Sequence, residues 1–211
     1  MPRSTSSRNP ARNRGRILAA ATAEFAQRGL GGARVDRIAK LAGLNKRMLY
    51  YYFDSKEKLF LAVLEASYAQ IRSAEQALDL EHLAPRAALE RLVAFTWDYF
   101  LAHPEFLTLL NSENLHKGRH VSRSTRVREM HSPLVAMLAR ILKRGEKAGV
   151  FRRGVDPVQL YISIAGEGYF YLSNRYTLSR IFGRDLMAPR ALAQRKKHNA
   201  TIILEALKKA A

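Results

Sequence analysis

Hydrophobic positions along this chain recur every three or four residues almost from end to end, and no stretch alternates strictly as a half-buried strand would. The pattern predicts an all-α protein of about nine helices. The first runs from about Asn13 to Arg28 with Ile17, Leu18, Ala21 and Phe25 on one stripe, and Gly29, Gly31 and Gly32 end it. A short second helix, Val35 to Ala42, turns Val35, Ile38, Ala39 and Ala42 inward and closes at Gly43, a C-cap residue, with Leu44 sealing the turn. Asn45 then caps a third short helix, Lys46 to Tyr52, and Ser55 caps a fourth, from Lys56 to about Leu78.

Pro85 suits the first turn of a fifth helix ending at His103, and Pro104 opens a sixth, through about Asn114. After the basic connection KGRHVSRS, helix seven runs from about Thr125 to Ala148; Pro133 inside it should kink it or mark a restart near Ser132. Asp156 and Pro157 start an eighth helix reaching about Asn174. That helix is apolar nearly all round, so it should be buried in the core or against a second copy of the chain, and Gly166 on it is expected to let two helices approach closely. The last helix, Arg190 to Lys209, carries a stripe of Leu192, the Arg195 stem, Asn199, Ile202, Ile203 and Ala206 that would complete a four-helix bundle with a symmetry mate. No internal repeat is present.

Composition narrows the classes. A chain of 211 residues can bury a sizeable core, and with no Cys it can have no disulfide, thiolate metal site or cysteine nucleophile. Charge is the outlier: 36 Lys and Arg against 18 Asp and Glu give +18. The first 61 residues hold 13 basic against 4 acidic side chains and the other 150 hold 23 against 14, so charge density is highest at the start. Nucleic acid or another polyanion is the partner this field points to. No run approaches the ~18 apolar residues of a membrane span, so no membrane partner is expected. The opening MPRSTSSRNPARNRGR reads as a flexible basic arm over residues 1–13; a transit peptide has similar composition, but the segment that follows is patterned as part of the fold.

Two short helices joined by Ala42-Gly43-Leu44, with a helix on either side, have the dimensions of a helix-turn-helix. Ile38, Ala39, Leu44 and Leu49 would pack the pair. The third helix is left with a protruding face of Lys46, Arg47, Met48, Tyr50, Tyr51 and Tyr52, long donors and aromatics suited to a major groove. Arg47 could pair with guanine, while Lys56 and Lys58 stand where they and a helix N-terminus could hold a phosphate. One of the three tyrosines must turn inward. Arg3, Arg8, Arg12, Arg14 and Arg16 belong either to a solvated tail or to an arm that contacts the minor groove or backbone.

The segment RILAAATAEFAQRGLGGARVDRIAKLAGLNKRMLYYYFDSKEKLFLAVLE resembles the DNA-binding domain of the tetracycline-repressor (TetR) family over roughly residues 14 to 65, most specifically in IAKLAGL and LYYYFDSKEKL. The resemblance implies a homodimeric, all-helical transcription regulator, with a DNA-binding domain at 14–60 and a helical ligand-binding and dimerisation domain at 61–211. It places base and phosphate contacts on Lys46, Arg47, Met48, Tyr50, Tyr51, Tyr52 and Lys56. Arg34 stands where the family usually has Thr or Ser, putting a cation in place of a hydroxyl cap. Asn45, Arg47 and Met48 replace the frequent Ser, Gly and Thr, which adds a long base-reading side chain.

The expected partners are therefore a palindromic double-stranded operator, a second copy of the chain and a small-molecule effector that releases the DNA. Trp97, Phe100, Phe106, Met130, Met137, Tyr161 and Phe170 supply apolar walls for such an effector, and Asn111, Asn114, Arg126 and Glu167 supply polar groups; the alternative is a solid core. No cofactor, metal or catalytic residue is expected, and the setting is cytoplasmic. His116 and His120 are four apart near Glu113, but Gly118 between them argues against one helical face. Glu113 and Glu167 could pair only if the fold joined them. Two other classes stay open, a nonspecific nucleic-acid binder and an enzyme acting on an acidic substrate.

Overall fold

The computed structural model describes residues 9–209. Among these the chain is helical throughout, with no strand: α1 Pro10–Gly32, α2 Val35–Ala42, α3 Lys46–Phe53, α4 Lys56–Gln76, α5 Pro85–Ala102, α6 Pro104–Leu115, α7 Thr125–Lys147, α8 Pro157–Ser173, α9 Arg175–Ile181 and α10 Pro189–Leu207. The all-α expectation holds. The helix that periodicity does not single out is α9, only 7 residues long and without a buried side chain.

Local chemistry sets the boundaries. α1 begins at Pro10 rather than Asn13 because Asn9 Oδ1 accepts the Arg12 N–H at 3.1 Å. Its regular part ends where expected, at Gly29 in the left-handed region (φ 63). Ser55 Oγ accepts the Lys58 N–H at 3.1 Å, and Asp156 Oδ1 accepts the Val158 N–H at 2.7 Å. α7 runs through Pro133 as one helix, without the expected restart at Ser132. Proline removes one ladder bond, and a helix packed along its apolar side tolerates that loss.

By its contacts the chain forms two units. The first comprises, of the described residues, 9–69 with 105–127. Ile17, Ala21 and Phe25 of α1, Ile38 of α2, Leu49 and Phe53 of α3, and Leu59 and Phe60 of α4 make one core with Leu109 of α6. The Phe25 and Phe60 rings meet edge to face at 5.1 Å.

The second unit comprises residues 70–104 with 128–211. Leu89 and Leu92 of α5, Leu138 and Ile141 of α7, Leu160 and Ile164 of α8, and Ile203 and Leu204 of α10 form its core. Ile203, expected at a seam with a symmetry mate, is thus an interior residue of its own chain. The close-packed glycine of α8 is Gly168 rather than Gly166: a Cβ at 168 would lie 3.1 Å from the Phe100 ring, whereas nothing stands within 4 Å of one at 166. The turn after α7 is tied to α10, since the Arg152 backbone N–H donates to Leu207 O at 2.8 Å and its Nε donates to Ala206 O at 2.9 Å.

Candidate nucleic-acid interface

The turn between α2 and α3 fixes the recognition face. Gly43 is left-handed (φ 61), its N–H donates to Lys40 O at 3.0 Å, and the Leu44 N–H donates to Ala39 O at 3.0 Å, so the last carbonyls of α2 are satisfied. A Cβ at 43 would come within 2.4 Å of Arg16 Nη2. The left-handed backbone is what demands glycine, since the Arg16 side chain could swing aside. Asn45 Oδ1 then accepts the Met48 N–H at 3.0 Å and starts α3.

Leu49 and Phe53 anchor α3 in the core, and the Arg14 guanidinium lies over the Phe53 ring at 5.2 Å. Tyr52 is the tyrosine that turns inward, half-buried against the core and edge-on to Tyr51 at 5.2 Å. Tyr50 is 42% and Tyr51 77% exposed, and Arg47, three and four residues before them, shares their open face. Lys46 Nζ sits 3.1 Å from Asp36 Oδ1, a hydrogen bond that holds the ammonium pKa above its ordinary value. Met48 is half-buried. Lys56 Nζ donates to Ala33 O at 3.0 Å, so this lysine also pins the start of α4 to the link before α2.

Arg34 precedes α2 without a side-chain cap bond; its backbone N–H donates to Glu24 Oε1 at 3.2 Å. Glu24, 1% exposed, also faces Arg37 at 3.4 Å and Arg28 at 3.6 Å. Sequence reading passed over this carboxylate, whose one signal is that it lies on the apolar stripe between Ala21 and Phe25. Of the arm arginines, Arg3 and Arg8 lie outside the described residues. Arg16 Nη2 reaches Gly43 O at 3.5 Å, and Arg12 is exposed on the first turn of α1.

Residues 17–63 match the model of the bacterial regulatory proteins of the tetR family, and residues 85–203 match the tetracyclin repressor-like C-terminal domain. The chain belongs to the TetR family. It is 45% identical over 182 residues to the transcriptional repressor NicS of Pseudomonas putida, covering 86% of each chain. It is 33% identical over 165 residues to the repressor SCO4008 of Streptomyces coelicolor, covering 75% of this chain and 78% of that one. Among solved structures, the Streptomyces coelicolor regulator SCO4942 superposes with TM-score 0.68 at 25% identity, covering 92% of this chain and 98% of that one. The ketosteroid regulator KstR2 of Mycobacterium tuberculosis shares the fold, with TM-score 0.68 at 22% identity over 93% of this chain and 95% of the other. This TetR-family protein is a DNA-binding transcriptional regulator, and none of its described helices is long and apolar enough to cross a membrane.

The residues expected around an effector are dispersed. Trp97 and Phe100 are buried beside Gly168, with the Trp97 ring 5.6 Å from Tyr171, while Phe170 is 60% exposed. Phe106 packs against Tyr68 in the first unit. Asn111 is half-buried and Asn114 exposed there, and Arg126 faces Glu65 at 3.8 Å. Glu167 is paired with Arg195 in the second unit. Met130 and Met137 line a cavity of about 320 Å³ in that unit, whose wall also holds Arg72, the partner of the Tyr161 hydroxyl.

The histidines form no metal site: no group of three or more ligating side chains occurs among the described residues. His120 Nδ1 instead lies 2.6 Å from Glu113 Oε2, and Glu113 Oε1 accepts the backbone N–H groups of His120 and Val121 at 2.8 and 2.9 Å. His116 Nδ1 bonds Ser112 O at 2.7 Å. α6 ends at Leu115, before His116, and Gly118 between the histidines is left-handed (φ 69), so no continuous helix joins them, as expected.

Proposed function

We propose that this protein is a ligand-released repressor that works in the cytoplasm, binding a palindromic operator as a homodimer. The observation that carries the reading is the open face of α3, where Arg47, Tyr50 and Tyr51 stand clear of the core while Asn45, Leu49 and Phe53 hold the helix rigid. Arg47 supplies a bidentate donor for guanine, and the tyrosines reach phosphates and thymine methyls. Lys46 through Asp36, Tyr52 through the core and Lys56 through Ala33 O hold that face in place, and Met48 and Arg34 add to the DNA contacts. Kinship with NicS and SCO4008, both named repressors, supports negative control.

Dimerisation is supported by Val158, Ile162 and Phe170, apolar side chains exposed along α8, and by Tyr176, Ile181 and Phe182 on and beside α9. So many exposed apolar side chains on two successive helices are unfavourable in water and suit a second copy of the chain. Two copies set two recognition helices a whole number of duplex turns apart, about 34–36 Å each. The cavity of the second unit supports effector control.

The test is competition binding of the purified protein to the duplex flanking its own coding sequence. An inverted repeat there is expected to outcompete random duplex by about 10³-fold or more at fixed salt. Equal affinity for both would make the protein a nonspecific DNA binder and end the repressor reading.

A further inference from the structure

DNA reading and dimerisation leave one polar cluster of the second unit unused, the ion pair at the wall of its cavity. Arg72 and Glu75, one turn apart on α4, are 5% and 3% exposed. Arg72 Nη2 donates to the Tyr161 hydroxyl at 3.3 Å, and the guanidinium lies over the Tyr161 ring at 5.3 Å. Arg72 Nη1 stands 2.9 Å from Glu75 Oε2 but out of line for a hydrogen bond. Arg72 Nε, Arg72 Nη1 and Glu75 Oε2 are thus all buried without a hydrogen-bond partner. Buried polar groups are normally hydrogen-bonded, so several left unpaired at the wall of one cavity point to a ligand that completes them.

The charge balance says what. Burial raises the Glu75 carboxyl to about 7 even though the Arg72 charge pulls it down. Near neutral pH Glu75 therefore carries a proton much of the time, whereas Arg72 stays charged throughout. In that state the wall presents a buried cation without a full counter-ion, next to an O–H donor. Of the other charged groups of the cavity, Glu81 pairs with Arg140 and Asp79 lies 3.4 Å from His82, while the His131 ring lies edge-on to Tyr161 at 6.3 Å. The remaining lining is Gln76 and otherwise apolar, with Met130, Leu134 and Met137 from α7. At about 320 Å³ the space is at the small end of ligand pockets.

We propose that this cavity takes a small monocarboxylic acid as its anion, the carboxylate seated between Arg72 and Glu75 and the apolar body against the α7 side chains. The proposal names the effector class for the ligand-released repressor above and rests on that reading. Seating the anion fills whatever share of the Glu75 proton the free site lacks, an uptake that rises towards one proton above pH 7, so binding and protonation are linked.

Calorimetric titration with butyrate, hexanoate, benzoate and 1-naphthoate, each beside its neutral amide, tests it. At least one acid is expected to bind and its amide to bind at least tenfold more weakly, with proton uptake and an affinity about tenfold lower at pH 8 than at pH 6. Glu75→Gln, which imitates the protonated form, is expected to keep acid binding and lose that pH dependence. The neutral pair Arg72→Met with Glu75→Gln leaves no charge unpaired, and its folding is checked by circular dichroism; it is expected to lose acid binding. No binding by any of the acids up to about 10 mM, amides as tight as acids, or acid binding retained in the double variant would each overturn the site. Operator release is read separately: an acid that binds with the expected proton uptake yet leaves operator affinity unchanged preserves the site and overturns ligand release.

Discussion

Ser112 Oγ, on α6, accepts the backbone N–H of Leu30 at 3.2 Å, satisfying the glycine-rich end of α1 from a position 82 residues further along the chain. Both residues are buried, so no water replaces the bond when the hydroxyl is removed. Ser112→Ala is expected to cost about 1–2 kcal/mol of unfolding free energy in urea denaturation, while Ser112→Thr keeps most of it. An unchanged midpoint for the alanine variant would mean that the bond contributes nothing.

Glu113 concentrates more in one side chain. Its carboxylate serves two backbone N–H groups and the His120 ring, all at the edge of the core that holds Phe60, whose ring lies 5.3 Å from that of His120. Glu113→Ala is expected to destabilise the protein by about 2–4 kcal/mol, with Glu113→Gln retaining a large share because the amide oxygen still accepts. Equilibrium denaturation of the two variants side by side checks the order.

Arg47 and Lys56 should separate base reading from anchoring. Arg47→Ala is expected to weaken operator binding by about 1–3 kcal/mol and relax preference at one base pair per half-site, with no change in thermal stability. Lys56→Met should weaken all sequences alike and also lower stability by about 1 kcal/mol, because its ammonium holds Ala33 O. Selection from a randomised-operator pool, with melting curves, reads both; an Arg47→Ala variant with unaltered preference would remove α3 from the major groove.

The helices and caps were legible because each rests on bonds between near neighbours: Asn45 to Met48, Ser55 to Lys58, Asp156 to Val158. The face of α3 followed only in part: Leu49 and Phe53 read as inward, but which of the three tyrosines turns in is decided by the packing of Tyr52 against the core. What periodicity cannot give is which partner an apolar or charged side chain finds across the chain. Ile203 reads equally well as seam or interior, and only packing against α5 and α8 decides for the interior. Arg72 meets Tyr161 from 89 residues away, and Glu24 gathers Arg34 and Arg37 from the next helix. Gly166 and Gly168 are indistinguishable until the Phe100 ring lands on one of them.

Glu75 also makes stability depend on pH. Its folded-state pKa of about 7 lies above the ordinary 4.5, so between those values the native state holds a proton that the unfolded chain has released. Stability from this group is complete below about pH 4.5, falls as pH rises through about 7, and levels off above it. The full swing is about 3 kcal/mol. Denaturation of the wild type and Glu75→Gln across this range should give a difference that grows with pH in favour of the variant; a flat difference would place Glu75 at an ordinary pKa.

Exposed apolar side chains on α8 should hold the dimer. Phe170→Glu is expected to raise the dimer dissociation constant about 100-fold or more without unfolding the chain, because the side chain already faces solvent in the isolated protomer. Ile203→Glu should unfold it instead. Sedimentation velocity beside circular dichroism separates the two outcomes.

The first turn of α3 holds Lys46 and Arg47 and no carboxylate, at the end of the helix where the peptide dipoles already place positive charge. Asp36 offsets Lys46, but Arg47 adds its charge to the positive end of the dipole, on a chain of net charge +18. Mobile ions then act with opposite signs on the two states. Added salt screens the self-repulsion and raises the melting temperature of the free protein, while the same salt competes with phosphates and loosens the complex. A buffer chosen for shelf life is accordingly the wrong buffer for measuring DNA affinity.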